Sequence, residues 1–149
     1  MWQRGWGDGM ADLRRASGAA IRAADVLLRS AGGRAVLVRL PAPGVAGDGS
    51  EQLGLAVPEF QDLELAPVVL RRARAKAVDW ELLVSATAVN GAVVASGAGY
   101  SAASVLFAVA YGVLVDGVLL EVVSVRESEL GGVTYVYRVL LREPRALLV

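Results

Sequence analysis

The chain contains no cysteine and no histidine. Their absence excludes disulfide bridges, thiolate and imidazole nucleophiles or bases, and every common zinc site. It leaves the redox compartment open. Lysine is nearly absent too: Lys76 stands alone beside fourteen arginines, so a Ser–Lys catalytic pair has a single candidate base with no evident partner. Neither sign of charge dominates. Fifteen basic residues balance fifteen acidic ones, whereas a nucleic-acid binder usually carries a basic surplus. No apolar run approaches the ~20 residues of a membrane-spanning helix. The longest uncharged, mostly apolar stretch runs from Ala102 to Val115 and is interrupted by Asp116-Gly117 and then Glu121. It reads as a short buried helix running into a strand, with a membrane anchor as the minor alternative. The N-terminal MWQRGWGDGMADLRR lacks an apolar signal-peptide core, which argues against secretion by that route.

Phosphate-binding signatures are missing as well. There is no Walker pattern, and Gly97-Ala98-Gly99 lacks the third glycine of a dinucleotide fingerprint, so it reads as a turn. The carboxylate pairs Glu127 with Glu129 and Asp62 with Glu64 fall in apparent loops or strand ends. Paired acids can exchange protons with a substrate, but acids in such places more often solvate a loop. These features predict a protein that is not an enzyme and needs no cofactor and no metal.

What is present is apolar. Of 149 residues, 55% are hydrophobic and only 20% charged. That length fits one domain with a true core, and the composition rules out disorder. The apolar share exceeds what a small domain ordinarily buries, so part of it is expected against partners; a well-filled core is the plainer account. The arginine bias has two readings: planar bidentate contacts at interfaces, or a GC-rich coding sequence.

Met1 to Gly9 forms an arm bearing Trp2 and Trp6, two indoles that fold back on the domain or dock on a neighbour. From Met10 to Val149 the chain reads as one domain. Met10 to Ala31 is an expected helix, with Leu13, Ala16, Ala20, Ala24, Leu27 and Ala31 at three- and four-residue steps and Gly32-Gly33 as its stop. Arg15, Arg22 and Arg29 form a stripe on it, with Asp25 between two of them. This stripe is a solvated face, or a face toward an acidic partner or a lumen carrying nucleic acid. Ala35 to Leu40 alternates as a strand, and Pro41 to Gln52 is a flexible Pro/Gly loop. Leu53 to Val57 is a possible short strand, and Glu59 to Asp62 a turn. Leu63 to Ala73 is a strand whose Pro67 marks an edge or bulge, followed by Arg71, Arg72 and Arg74: a solvated strand end, or a salt-bridging site between subunits.

Asp79 to Val89 is expected as a strand, turning at Asn90-Gly91 into a short arm from Ala92 to Ala95. Ser101 caps an expected helix from Ala102 to Tyr111. The closing block, GVLVDGVLLEVVSVRESELGGVTYVYRVLLRE, predicts a meander: Val113 to Val115, a hairpin turn at Asp116-Gly117, Val118 to Val125, a loop from Glu127 to Gly132, and Thr134 to Leu141. Tyr135 and Tyr137 share one face of the last strand. Strands apolar on both faces are covered on both, here by a helix and by a neighbouring subunit. The whole reads as α+β, mainly β and antiparallel, with a long N-terminal helix and one short helix near 101–111.

Three segments carry a resemblance: EFQDLELAPVVLRRARA from Glu59, WELLVSATAV from Trp80, and the closing block with its D-G turn, loop and Y-V-Y-R ending. Over half to two-thirds of the chain they resemble tailed-phage neck proteins of the head–tail connector or head-closure (stopper) class. The resemblance implies a small antiparallel β-barrel or sandwich with an inserted loop. It implies a homo-oligomeric ring, often of six or twelve subunits, between portal and tail. Portal or adaptor and tail proteins are then the partners, DNA passes through the lumen without base reading, and no membrane is involved. Assembly takes place in the bacterial host cytoplasm and the product sits in the virion neck. On this reading Trp2, Trp6, Arg71, Arg72, Arg74, Tyr135 and Tyr137 are interface candidates, and Arg15, Arg22 and Arg29 face the lumen or an acidic partner. The long Ala-rich helix and the Trp-bearing arm depart from a simple stopper, so adaptor, stopper and tail terminator stay open. A tail-completion protein and a non-phage membrane-associated binding domain are the alternatives.

Overall fold

The computed structural model describes residues 6–43 and 59–144, with side chains from Ala11 onward. Alternation of apolar and polar residues builds its centre. In β1 (Arg34–Pro41), Val36, Val38 and Leu40 point inward and are buried, while the residues between them are not. The same period of two recurs in β6 (Val133–Arg142) and, less regularly, in β2 (Phe60–Arg72) and β3 (Trp80–Ser85), while the short β4 (Gly112–Val115) and the bulged β5 (Val118–Leu130) depart from it. Every pairing is antiparallel, and the strands close into a barrel in the order β1-β2-β3-β6-β5-β4. The fold is therefore mainly β, and of the two expected forms it is the barrel. Leu65, Val68, Leu82, Val84, Val113, Val139 and Leu141 fill its interior.

Three helices are present among the described residues. α1 (Trp6–Ser30) lies across the outside of the barrel, and α2 (Ala86–Ser96) and α3 (Val105–Val109) connect β3 to β4. Val89, Ala92, Leu106 and Phe107 of these two join the core, with the Phe107 ring 6.1 Å from that of Tyr137. The stretch from Ala102 to Val115 thus belongs to the barrel, and no described helix is long and apolar enough to cross a membrane.

Several expected boundaries move. α1 begins at Trp6, ahead of Met10, so Trp6 lies on the helix; Trp2 is outside the described residues. Its buried face follows Ser17, Ile21, Ala24 and Leu28, rotated by roughly a fifth of a turn from the expected stripe. Leu13 and Leu27 are left 48% and 66% exposed. The supposed turn at Glu59–Asp62 is the start of β2: Phe60, Gln61 and Asp62 pair with Pro41, Leu40 and Arg39. Cross-strand bonds from Arg39 to Asp62 at 2.8 and 2.9 Å, with the Arg39 guanidinium 4.0 Å above the Phe60 ring, hold that extension. Pro67 does sit at a bulge, where the β1–β2 register shifts. The possible strand at 53–57 and most of the 41–52 loop lie outside the described residues.

The largest departure is α2. The strand stops at Ser85, whose Oγ accepts a hydrogen bond from the Ala88 amide and caps a helix. Asn90-Gly91 then falls inside the helix, and the expected Ala92–Ala95 arm is its last turns. Burial of Ala86, Val89, Ala92 and Ser96 at helical spacing explains the choice. The helix expected at 102–111 shortens to α3, because residues 101–104 form turns and Ser104, not Ser101, occupies the cap position. In the meander, Asp116-Gly117 makes the expected two-residue turn, with φ of 48° and 82°. The expected loop from Glu127 to Gly132 contracts to Gly131-Gly132, with φ of 61° and 76°. Glu127, Ser128 and Glu129 belong to β5.

Candidate interaction surfaces

Outward side chains of four adjacent strands gather arginines on one face. Arg71 of β2 stands opposite Glu81 of β3 and donates Nε and Nη2 to its two carboxylate oxygens at 3.2 and 3.1 Å. From β6, the Nε of Arg138 lies 2.6 Å from Glu81 Oε1. The hydrogen bonds from Arg71, aided by the charges of Arg138 and Arg71, hold the Glu81 carboxyl below its usual range, while burial opposes them. Arg126 of β5 stands directly across from Arg138. At the barrel rim, Arg72 lies 4.6 Å over the Trp80 ring, a cation–π contact. Arg74, in the loop after β2, lines a cleft of about 210 Å³ with Glu81, Arg126 and Arg138.

A second, apolar surface lies between α1 and the outer faces of β3, β5 and β6. Leu27, Leu28, Leu83, Leu130, Tyr135 and Val136 line a groove of about 480 Å³. Leu130 and Val133 at the hairpin tip are 40% and 41% exposed, which extends the apolar area.

The structure separates the sequence candidates. Arg71, Arg72 and Arg74 are all exposed and near one another. Tyr135 sits at a bulge in β6 and lines the apolar groove. Tyr137 is only 4% exposed, so it is a core residue and not a surface one; burial pushes its phenol up, with the Glu127 charge adding to the effect. Arg15, Arg22 and Arg29 share the solvent-exposed side of α1. Asp25 turns away from them toward α2, where its Oδ2 accepts the Thr87 hydroxyl at 3.0 Å and its buried Oδ1 has no hydrogen-bond partner. The indoles of Trp2 and Trp6 are outside the described side chains. Of the carboxylate pairs, Asp62 is held by Arg39, which lowers its pKa, and Glu127 accepts from Thr134 at 3.2 Å; Glu64 and Glu129 are exposed. Sequence reasoning missed Glu81, Arg126 and Arg138. Their only signal was alternation, which puts Glu81 and Arg138 on the outward faces of their strands.

No protein-family model, curated protein or solved structure matches the chain.

Proposed function

We propose that this protein is a structural component of a phage or phage-like virion neck. In this reading it forms a homo-oligomeric ring between portal and tail that joins head to tail and lets DNA pass. The resemblance of the Glu59–Ala75, Trp80–Val89 and closing segments supports it. One geometric observation carries the ring itself: a groove of about 480 Å³ lies open between α1 and the β5–β6 hairpin, beside Leu13, Leu27, Leu130 and Val133, all 40% exposed or more. A contiguous apolar surface of this kind favours burial against a partner. Closed rings need two different complementary patches per subunit. The groove supplies one apolar patch and the arginine face a separate charged one. Adaptor, stopper and tail terminator are all compatible with it.

Native mass spectrometry and negative-stain microscopy at micromolar concentration test the reading. Closed rings are expected for the wild type. Leu27→Glu is expected to yield monomers whose far-UV and near-UV circular dichroism match the parent. A stable wild-type monomer, together with absence of the protein from virions, rules the reading out.

A further inference from the structure

The register of the β5–β6 hairpin places Arg126 directly opposite Arg138. Like charges so placed weaken a sheet unless a counter-charge lies between or above them. A third guanidinium, that of Arg74, reaches the same cleft from the loop after β2. The cleft's one carboxylate, Glu81, is already engaged by Arg71 on both oxygens and by Arg138 on Oε1. Arg74 and Arg126 have no salt-bridge partner among the described residues. These two charges therefore lack an ion-pair partner there, and both line the recess of about 210 Å³.

We propose that this recess binds a phosphate group. Guanidinium forks match tetrahedral oxyanions with paired N–H donors. A phosphate dianion carries close to two negative charges near neutral pH, which matches those two arginines. A carboxylate would bring only one charge. The recess, of about 210 Å³, has room for a phosphate. Ala73 and Ala75 form part of its wall, and their short side chains let the oxyanion approach. The dianion is common to free phosphate and a terminal phosphomonoester, whereas a nucleic-acid phosphodiester carries one charge and matches less well. The inference stands on the cleft alone and does not require the ring.

The test uses the full chain with uniform ¹⁵N labelling and follows the arginine Nε–Hε resonances. Inorganic phosphate added at constant ionic strength is expected to give saturable shifts at Arg74, Arg126 and Arg138. Sodium chloride at equal ionic strength is expected to give none. Arg126→Gln and, separately, Arg74→Gln are each expected to weaken phosphate binding on the order of tenfold. Thermal stability should stay the same, or rise slightly for Arg126→Gln, which removes the like-charge pair. Single-stranded oligonucleotides with and without a 5′-phosphate test the charge match: preference for the phosphorylated form indicates a terminal monoester, whereas equal binding shows that a single charge suffices and overturns the match to a dianion. The proposal is overturned if phosphate acts no differently from chloride, or if both arginine variants bind phosphate as tightly as the parent.

Discussion

At the residue scale, Glu81 sets the charge arrangement of the arginine face, because one carboxylate serves arginines from two neighbouring strands. Its side chain is 13% exposed, while Arg71 and Arg138 are about half exposed, so solvent screens much of the attraction. Glu81→Gln is expected to cost on the order of 1 kcal/mol at neutral pH. The pH dependence follows from the direction of the shift. A carboxyl whose pKa is lowered by folding contributes stability above its unfolded pKa and loses it as pH falls through the folded value. Asp62, held by Arg39, shifts the same way. Acid should therefore destabilise the fold from the ordinary carboxylate range downward, and the gap between wild type and Glu81→Gln should close across that window. Urea unfolding at a series of pH values measures this; a gap of constant size down to the acid limit would show that the ion network is not its source. Little of this network was legible beforehand. Arg71, Arg72 and Arg74 are close in sequence and easy to suspect. Arg126 and Arg138 join them only through a register set by bulges at the Val122/Ser124 and Ser128/Glu129 shifts, which no local pattern announces.

At the scale of elements, the hairpin turn at Asp116-Gly117 was readable because a two-residue turn needs residues that tolerate positive φ. Gly131-Gly132 carries the same signal. It was masked by Glu127, Ser128 and Glu129, polar residues that suit an exposed strand as well as a loop. α2 was misread for the opposite reason. Val89, Val93 and Val94 favour strands and Asn90-Gly91 favours turns, yet packing of Val89 and Ala92 on the core overrides both. The cap makes this testable. Ser85→Ala removes the acceptor for the Ala88 amide and is expected to cost about 1 kcal/mol. Hydrogen exchange should quicken at the first α2 amides before it quickens in the barrel. Uniform loss of protection throughout would mean that α2 and the barrel open as one unit, with no separate role for the cap.

At the scale of the whole molecule, closure of the barrel depends on a narrow seam. β1 meets β4 over three registered pairs, Leu37 with Leu114, Val38 with Val113 and Arg39 with Gly112, and the Tyr111 amide adds a bond to the Arg39 carbonyl at 2.8 Å. The β5–β6 ladder is far longer. Closure matters because it removes free strand edges that would otherwise pair with other chains. Gly112, paired with Arg39 at the end of that seam, also lets β4 lie close against β5: a Cβ there would strike the Leu120 carbonyl oxygen and crowd the Leu119 side chain. The obstacle is backbone, so it cannot swing aside as a side-chain tip can. Gly112→Ala is thus expected to cost about 2–4 kcal/mol, to speed exchange selectively in β4 and in its neighbours β5 and β1, and to promote aggregation through the exposed edges. Gly91→Ala provides the contrast. Gly91 lies inside α2 with open space where a Cβ would stand, so that change should be neutral or stabilising by up to ~1 kcal/mol. If Gly112→Ala leaves stability as little changed as Gly91→Ala does, the close approach to Leu120 does not constrain β4; if only Gly112→Ala lowers it, with β4 and its neighbours losing protection first, that is where the barrel opens.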